Sequence, residues 1–134
     1  MLLNIKTGYN GIPKRPMNEI IIMVSSLPVL AQREIPFVFT DRHAYLQTAA
    51  FYTDLARLDC IAWDLLQNRD FKHDLNDPGK FERYQAEALV YRHLPVAGLW
   101  GIICHDDGQK EVLQGEVEKR RQTVQITVKP SCYF

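Results

Sequence analysis

The stretch FERYQAEALVYRHLP, Phe81 to Pro95, opens with mixed charge and then alternates in the manner of a β-strand. Residues two apart on a strand point the same way. Gln85 and Glu87 are therefore predicted to share one face, with Ala86 and Ala88 on the other. Small alanines behind that face allow a second layer to pack closely. Two readings of the polar face stay open. It is either an edge strand turned to water or a carboxylate at the lip of a cleft.

Before this strand, QNRDFKHDLNDPGKFERY is polar and broken by Asn-Asp-Pro-Gly, a strong turn signal. A loop of that length inside a compact domain is unusual unless it has a task. After the strand, LPVAGLWGIICHD reads as a turn and a further apolar strand. KEVLQGEVEKRRQ reads as a short helix weakened by Gly115. TVQITVKPSCYF supplies a last strand, with Thr123, Gln125 and Thr127 opposite Val124, Ile126 and Val128.

Upstream, TGYNGIPKRPMN is rich in Gly, Pro and Asn and reads as loop. EIIIMVSS and PFVFTD read as strands, separated by PVLAQRE, long enough for one helical turn. From His43 to Leu58 the spacing predicts a helix, capped by Thr40 or Asp41, with Trp63 and the leucines of IAWDLL packing against it. About five strands and two or three short helices do not alternate regularly. The expected class is α+β, as a single domain over residues 1–134.

Composition narrows the function. Sixteen basic and sixteen acidic residues balance, which argues against coating nucleic acid or membrane by bulk charge but leaves room for a local basic groove. Three distant cysteines, Cys60, Cys104 and Cys132, fit neither a disulfide framework nor a zinc site and suggest a reducing compartment. The longest apolar run is too short to span a bilayer, and the N-terminus lacks the order of a signal peptide, so a cytoplasmic protein without membrane contact is expected. Gly8 and Gly11 lack the context of a phosphate loop, and Ser25-Ser26 lacks that of a nucleophile elbow. His43, His73, His93 and His105 are not spaced as ligands, so no metal is expected.

FVFTDRHA, IAWDLL, the polar Asp-containing loop and RYQAEALVYRHLPV follow one another in an order that resembles the DarT family of DNA ADP-ribosyltransferases. MLLNIKTGYNG and EIIIMVSSLPVL are similar to the stretches that precede them there. The resemblance implies a mono-ADP-ribosyltransferase fold, a split β-sandwich around NAD as co-substrate. It also implies transfer of ADP-ribose to a base of single-stranded DNA, by a toxin restrained through a DarG-type macrodomain antitoxin. By the same similarity Glu87 is the catalytic glutamate, residues 63–86 form the substrate-reading loop, and Gln85 opens the Q-x-E pattern. Cleaving the nicotinamide–ribose bond builds an oxocarbenium-like charge that a fixed carboxylate stabilises. Arg83, Tyr84 and Arg92, with His93, supply the cations and aromatic ring that single-stranded DNA binders use, and His43 is a further substrate-contact candidate.

The chain departs from the family pattern at its start. The family's NAD-contacting segment and its arginine precede the stretch resembling MLLNIKTG, and none of Arg15, Arg33 or Arg42 stands in the matching context. The chain is accordingly expected to represent the C-terminal two thirds of the family domain, with its cofactor-binding residues unassigned. The alternative is an inactive remnant that binds single-stranded DNA or the antitoxin without chemistry. Apolar strands deprived of partners would favour self-association.

Overall fold

The computed structural model describes residues 2–133; Met1 and Phe134, at the outer ends of the MLLNIKTG and PSCYF stretches, lie outside the described residues. In chain order the elements are α1 (Leu2–Thr7), β1 (Ile22–Val24), α2 (Leu27–Gln32), β2 (Phe37–Thr40), β3 (Phe51–Tyr52), α3 (Trp63–Gln67), α4 (Lys80–Arg83), β4 (Ala88–Val90), β5 (Gly101–Cys104), α5 (Asp107–Lys119) and β6 (Gln125–Val128). Short 3-10 turns join them. The α+β expectation holds, with two small sheets and few, short helices. The chain divides into two compact units, Met1–Val29 with Leu94–Phe134, and Leu30–His93.

The first unit holds the sheet β1-β5-β6. β1 and β5 run antiparallel with Met23 opposite Ile102, whereas β5 and β6 run parallel with Ile102 opposite Ile126. A parallel neighbour requires a long crossover, and α5 provides it. Asp106 starts that helix by accepting the Gln109 N–H at 2.9 Å, while Gln109 Oε1 accepts the His105 N–H at 2.8 Å. This is close to the reciprocal capping box that satisfies orphan donors at a helix start. Gln109 Nε2 then donates to Ile20 O at 3.0 Å, which anchors the helix to the approach of β1. β6 alternates as its pattern predicts, with Ile126 and Val128 half-buried and Gln125 and Thr127 exposed.

Core packing in this unit gathers on Ile102, Cys104 and Tyr133. Burial, followed by the nearby Asp106 carboxylate, pushes the Cys104 thiol above its ordinary range, as expected of an inert structural cysteine. The Tyr133 hydroxyl lies 2.8 Å from Ile20 O and 3.0 Å from Ile103 O and shares its proton between them. A Cβ at Gly101 would meet Gln125 O at 3.0 Å, so close approach of β6 explains a glycine in the central strand.

The second unit holds the antiparallel sheet β3-β2-β4. The register pairs Phe37 with Val90, Val38 with Leu89 and Phe39 with Ala88 on one side of β2. Phe39 with Tyr52 and Thr40 with Phe51 pair on the other. Phe39 is 2% exposed, and its ring lies 5.5 Å from that of Tyr52. Burying such a ring contributes about 1.5–3 kcal/mol.

Two local expectations are corrected. The predicted strand begins at Ala88, not at Gln85. Residues 80–83 form a helical turn, and the N–H groups of Gln85 and Ala86 bond back to Glu82 O and Arg83 O at 3.2 Å each. Those donors cannot join a ladder, so the shared strand face argued for Gln85 and Glu87 does not extend to Gln85. Nor does a helix run from His43 to Leu58. Ala50 N–H is taken by Asp41, Phe51–Tyr52 pairs with β2, and only Leu55–Cys60 winds into a 3-10 helix started by Asp54. Pairing of two aromatics onto an existing strand outweighs the helix preference of the alanines.

Helix ends explain most of the unusual backbone. Glu34, Arg69 and Arg121 have positive φ, and each follows a helix whose last carbonyls are closed by paired backbone bonds, such as Gln122 N–H to Val117 O and Arg121 N–H to Glu118 O. This is the left-handed helix ending usually given to glycine. Arg92, at φ 62°, follows no helix.

Tyr133→Phe keeps the buried ring and removes the shared donor, leaving Ile20 O with Gln109 Nε2 alone and Ile103 O without its side-chain donor. A loss of about 1–3 kcal/mol is expected in urea unfolding. Gly115→Ala should do the reverse, because its Cβ meets nothing within 4 Å on α5. A gain of about 0.5–1 kcal/mol in the same measurement is the expected outcome.

Candidate active site at Glu87

Glu87 stands where α4 hands the chain to β4, and the end of β2 holds it there. The Thr40 N–H donates to Glu87 O at 3.0 Å. The Thr40 hydroxyl lies 3.3 Å from both Glu87 O and Glu87 N, donating to one and accepting from the other. Thr40 is fully buried, so solvent does not compete for these bonds. The Glu87 backbone is therefore fixed from both sides.

The side chain is fixed at one oxygen only. Oε1 accepts the Ala44 N–H at 2.7 Å and lies 3.1 Å from His43 Nδ1. Oε2 has no hydrogen-bond partner among the described residues, and about a third of the side chain is exposed. His43 Nδ1 also lies 3.3 Å from the Tyr45 N–H. One nitrogen cannot serve both contacts. Protonated, it donates to Glu87; unprotonated, it accepts from Tyr45. His43 thus has a partner in either protonation state, beside a carboxylate with one oxygen open.

The segment that delivers Ala44 and His43 is braced by its own charges. Asp41 Oδ1 accepts the Ala50 N–H at 3.0 Å, and Oδ2 takes two bonds from Arg42, at 3.1 Å and 3.0 Å. Arg42 reaches on to Glu82 Oε2 at 3.3 Å. Burial alone would raise the Asp41 carboxyl, but the Ala50 N–H and the Arg42 guanidinium outweigh it and hold it below its ordinary value of 3.8.

The polar loop is folded rather than loose. The Asp-Pro-Gly turn forms as predicted, with Lys80 N–H on Asp77 O at 3.1 Å. Lys80 is 7% exposed and reaches Asp70 at 2.7 Å. Arg83 grips both oxygens of Asp77, at 3.2 Å and 2.5 Å. Bonds from Lys80 and Arg83 hold the Asp70 and Asp77 carboxyls below their ordinary range. Tyr84 packs edge-on against Phe71 and Phe81, with centroids 5.2 Å and 5.3 Å away.

The structure accordingly brings His43 to Glu87 and places Gln85 two residues before it, with an amide that makes no hydrogen bond among the described residues. Arg83 and Tyr84 are engaged inside the loop, and Arg92 lies beyond β4 with its guanidinium 5.0 Å from the Tyr91 ring. Sequence reasoning missed Thr40, Asp41, Arg42 and the Ala44 N–H. Thr-Asp-Arg at a strand end hints at the first three. A backbone donor leaves no mark in the sequence. Among the described residues no group of three or more His, Cys, Asp or Glu could hold a metal ion.

The fold places the chain among proteins with the ADP-ribosyltransferase fold seen in solved DarT structures. It superposes on Thermus sp. 2.9 DarT in complex with NAD+ with a TM-score of 0.82 and 26% identity, covering 99% of this chain and 66% of that one. Against the same protein in complex with ADP-ribosylated single-stranded DNA the TM-score is 0.83 at 27% identity, covering 99% and 63%. The family model described as "ssDNA thymidine ADP-ribosyltransferase, DarT" matches residues 1–134, and the chain belongs to the DarT family. It is 46% identical over its whole length to a DNA ADP-ribosyl transferase of Escherichia coli O127:H6 (strain E2348/69 / EPEC) and spans 62% of that relative. A Thermus sp. (strain 2.9) DNA ADP-ribosyl transferase is 36% identical over 97 residues, which cover 72% of this chain and 41% of the relative.

Because Asp41 is held below 3.8 in the folded state, its charge contributes stability that is present above that value and is lost as pH falls through the lowered one. Asp41→Asn keeps an acceptor for the Ala50 N–H and loses the charge. Its thermal midpoint should lie below that of the native protein at about pH 6, with the gap narrowing as pH falls below 3.8. A constant gap across that range would contradict the charge argument.

Proposed function

We propose that this chain carries the reacting half of a transferase that moves ADP-ribose from NAD to a thymidine of single-stranded DNA. The observation that carries the reading is the Glu87 carboxylate, immobilised at Oε1 by the Ala44 N–H and open at Oε2. The family description, and the solved relatives with NAD+ and with ADP-ribosylated DNA, supply the substrate classes.

In this reading the nicotinamide–ribose C–N bond breaks with both electrons leaving on nicotinamide. The anomeric carbon becomes cationic, and Oε2 lies against that charge or accepts a ribose hydroxyl to orient the sugar. A ring nitrogen of the base then forms the new C–N bond and sheds its proton to the Glu87–His43 pair. His43 accommodates the proton by exchanging its Tyr45 contact for Glu87. In the same reading the Gln85 amide, without a hydrogen-bond partner among the described residues, orients the accepting base. Arg83 and Tyr84 act by shaping the loop that presents it, and Arg92 meets the strand beyond. A DarG-type macrodomain antitoxin is the protein partner this function implies, and the cytoplasm its location. Among the described residues no helix is long and apolar enough to cross a membrane.

Incubation with NAD and a thymidine-containing single-stranded oligonucleotide should add one ADP-ribose to its intact mass. Glu87→Ala should slow that addition by roughly two to three orders of magnitude. An oligonucleotide without thymidine should stay unmodified. Oligonucleotide binding without any mass change, at long incubation and with Glu87→Ala indistinguishable, would instead identify a binding module that has lost its chemistry.

A further inference from the structure

We propose that Tyr91 and Arg92, with the apolar groove beside them, form a stacking subsite for a nucleotide flanking the modified base. The inference rests on the single-stranded DNA reading above and extends it to a place on the protein.

Register supplies the first step. Thr40 lies beyond the Phe39–Ala88 pair and bonds to Glu87, Val38 pairs with Leu89, and continuing the ladder sets Pro36 beside Tyr91. Glu87 immediately precedes β4 and Tyr91 immediately follows it, so the two stand at opposite ends of this three-residue strand. At 3.3–3.4 Å per residue, Tyr91 lies at most roughly 13 Å from Glu87 along the chain. A groove of about 460 Å³ opens at the Tyr91 end of the strand, lined by Pro36, Phe37, Val38, Val90, Tyr91 and Arg92 among others. That volume falls within the range of small-molecule sites.

The second step is chemical. Tyr91 is 72% exposed, and Arg92 sits over its ring at 5.0 Å. One aromatic face is open to a base, and the guanidinium beside it is a phosphate donor. An aromatic platform with an adjacent cation is the recurring unit of single-strand recognition. Elsewhere in this unit Arg42 and Arg83 are paired with carboxylates, whereas Arg92 has no carboxylate partner among the described residues.

The third step is strain. Arg92 is the middle residue of a three-residue turn closed by His93 N–H on Tyr91 O at 2.8 Å, with φ at 62°. The positive-φ form of this turn is rare and strained. The other left-handed non-glycine residues, Glu34, Arg69 and Arg121, each end a helix, and this one does not. Strain kept at a turn that both ends β4 and sets a cation beside an exposed ring points to function.

The test is fluorescence anisotropy with a labelled thymidine-rich oligonucleotide at several salt concentrations. Tyr91→Ala should weaken binding roughly fivefold to a hundredfold, and Tyr91→Phe should restore it. Arg92→Gly, free of the left-handed penalty, should raise the thermal midpoint yet weaken binding, and should lower the slope of log affinity against log salt by about 0.7. Abasic substitution should cost the native protein affinity at one flanking position, and that cost should vanish in Tyr91→Ala. If the native protein binds the oligonucleotide and Tyr91→Ala binds it equally well, the subsite is overturned and the DNA reading stands. If the native protein binds no single-stranded DNA at low salt, both fall.

Discussion

The site depends on one buried junction, the three hydrogen bonds between Thr40 and the backbone of Glu87. A carboxylate stabilises a developing cation well only when it is in position before the charge appears, since reorganisation during the reaction consumes the gain. Glu87 is not inside a regular strand, where a ladder would hold it automatically. It sits in the irregular link between the turn at Tyr84–Gln85 and β4, and an unsupported link would wander. Full burial of Thr40 makes those bonds worth more than the same bonds in water. The Ala44 N–H then fixes one carboxylate oxygen at 2.7 Å, so backbone and side chain are restrained by two successive parts of the same β2 exit.

Charge is compensated locally around that junction. Asp41 with Arg42 and Glu82, Asp70 with Lys80, and Asp77 with Arg83 each join residues separated along the chain or bridge a turn. Exposed ion pairs contribute little on their own. Here the Asp41–Arg42 and Asp77–Arg83 pairs are part-buried and Lys80 is buried, which makes their geometry costly to break by removing one partner. These clusters tie seven charged residues to one another within this unit. The consequence is functional: a cation tied to a carboxylate orders a loop, and only a cation without such a tie is free for phosphate.

The sequence made the strands legible where burial and alternation coincide. Ile126 and Val128 are half-buried against exposed Gln125 and Thr127, as the pattern of β6 requires. Asp-Pro-Gly gave its turn because proline and glycine restrict or free the backbone regardless of surroundings. The reading went astray where tertiary partners decide. The alanines of residues 43–58 favour a helix in isolation, yet Asp41 captures the Ala50 N–H and β2 captures Phe51 and Tyr52. Gln85 looked like a strand residue because alternation cannot show that its N–H is already held by Glu82 O. Glu87 stood out as a candidate through its motif and its neighbours. The Ala44 N–H that fixes it was not, because every residue except proline carries the same donor.

β4 raises a problem that its own ending resolves. It lies at an edge of its sheet and carries partly exposed Leu89 beside exposed Tyr91, a combination that invites another chain to add a strand. The strand is only three residues long. Immediately afterwards Arg92 turns the backbone left-handed and His93 N–H closes onto Tyr91 O, so the ladder has no further regular donors to offer. The same turn projects a cation and an aromatic ring from the end of the edge. A residue with relaxed backbone at Arg92 would let β4 continue, exposing a longer apolar edge and moving the guanidinium from the ring. Protection of the edge and presentation of the Tyr91–Arg92 pair are therefore two results of one backbone conformation, and the apolar face they bound can stay open without becoming a template for aggregation.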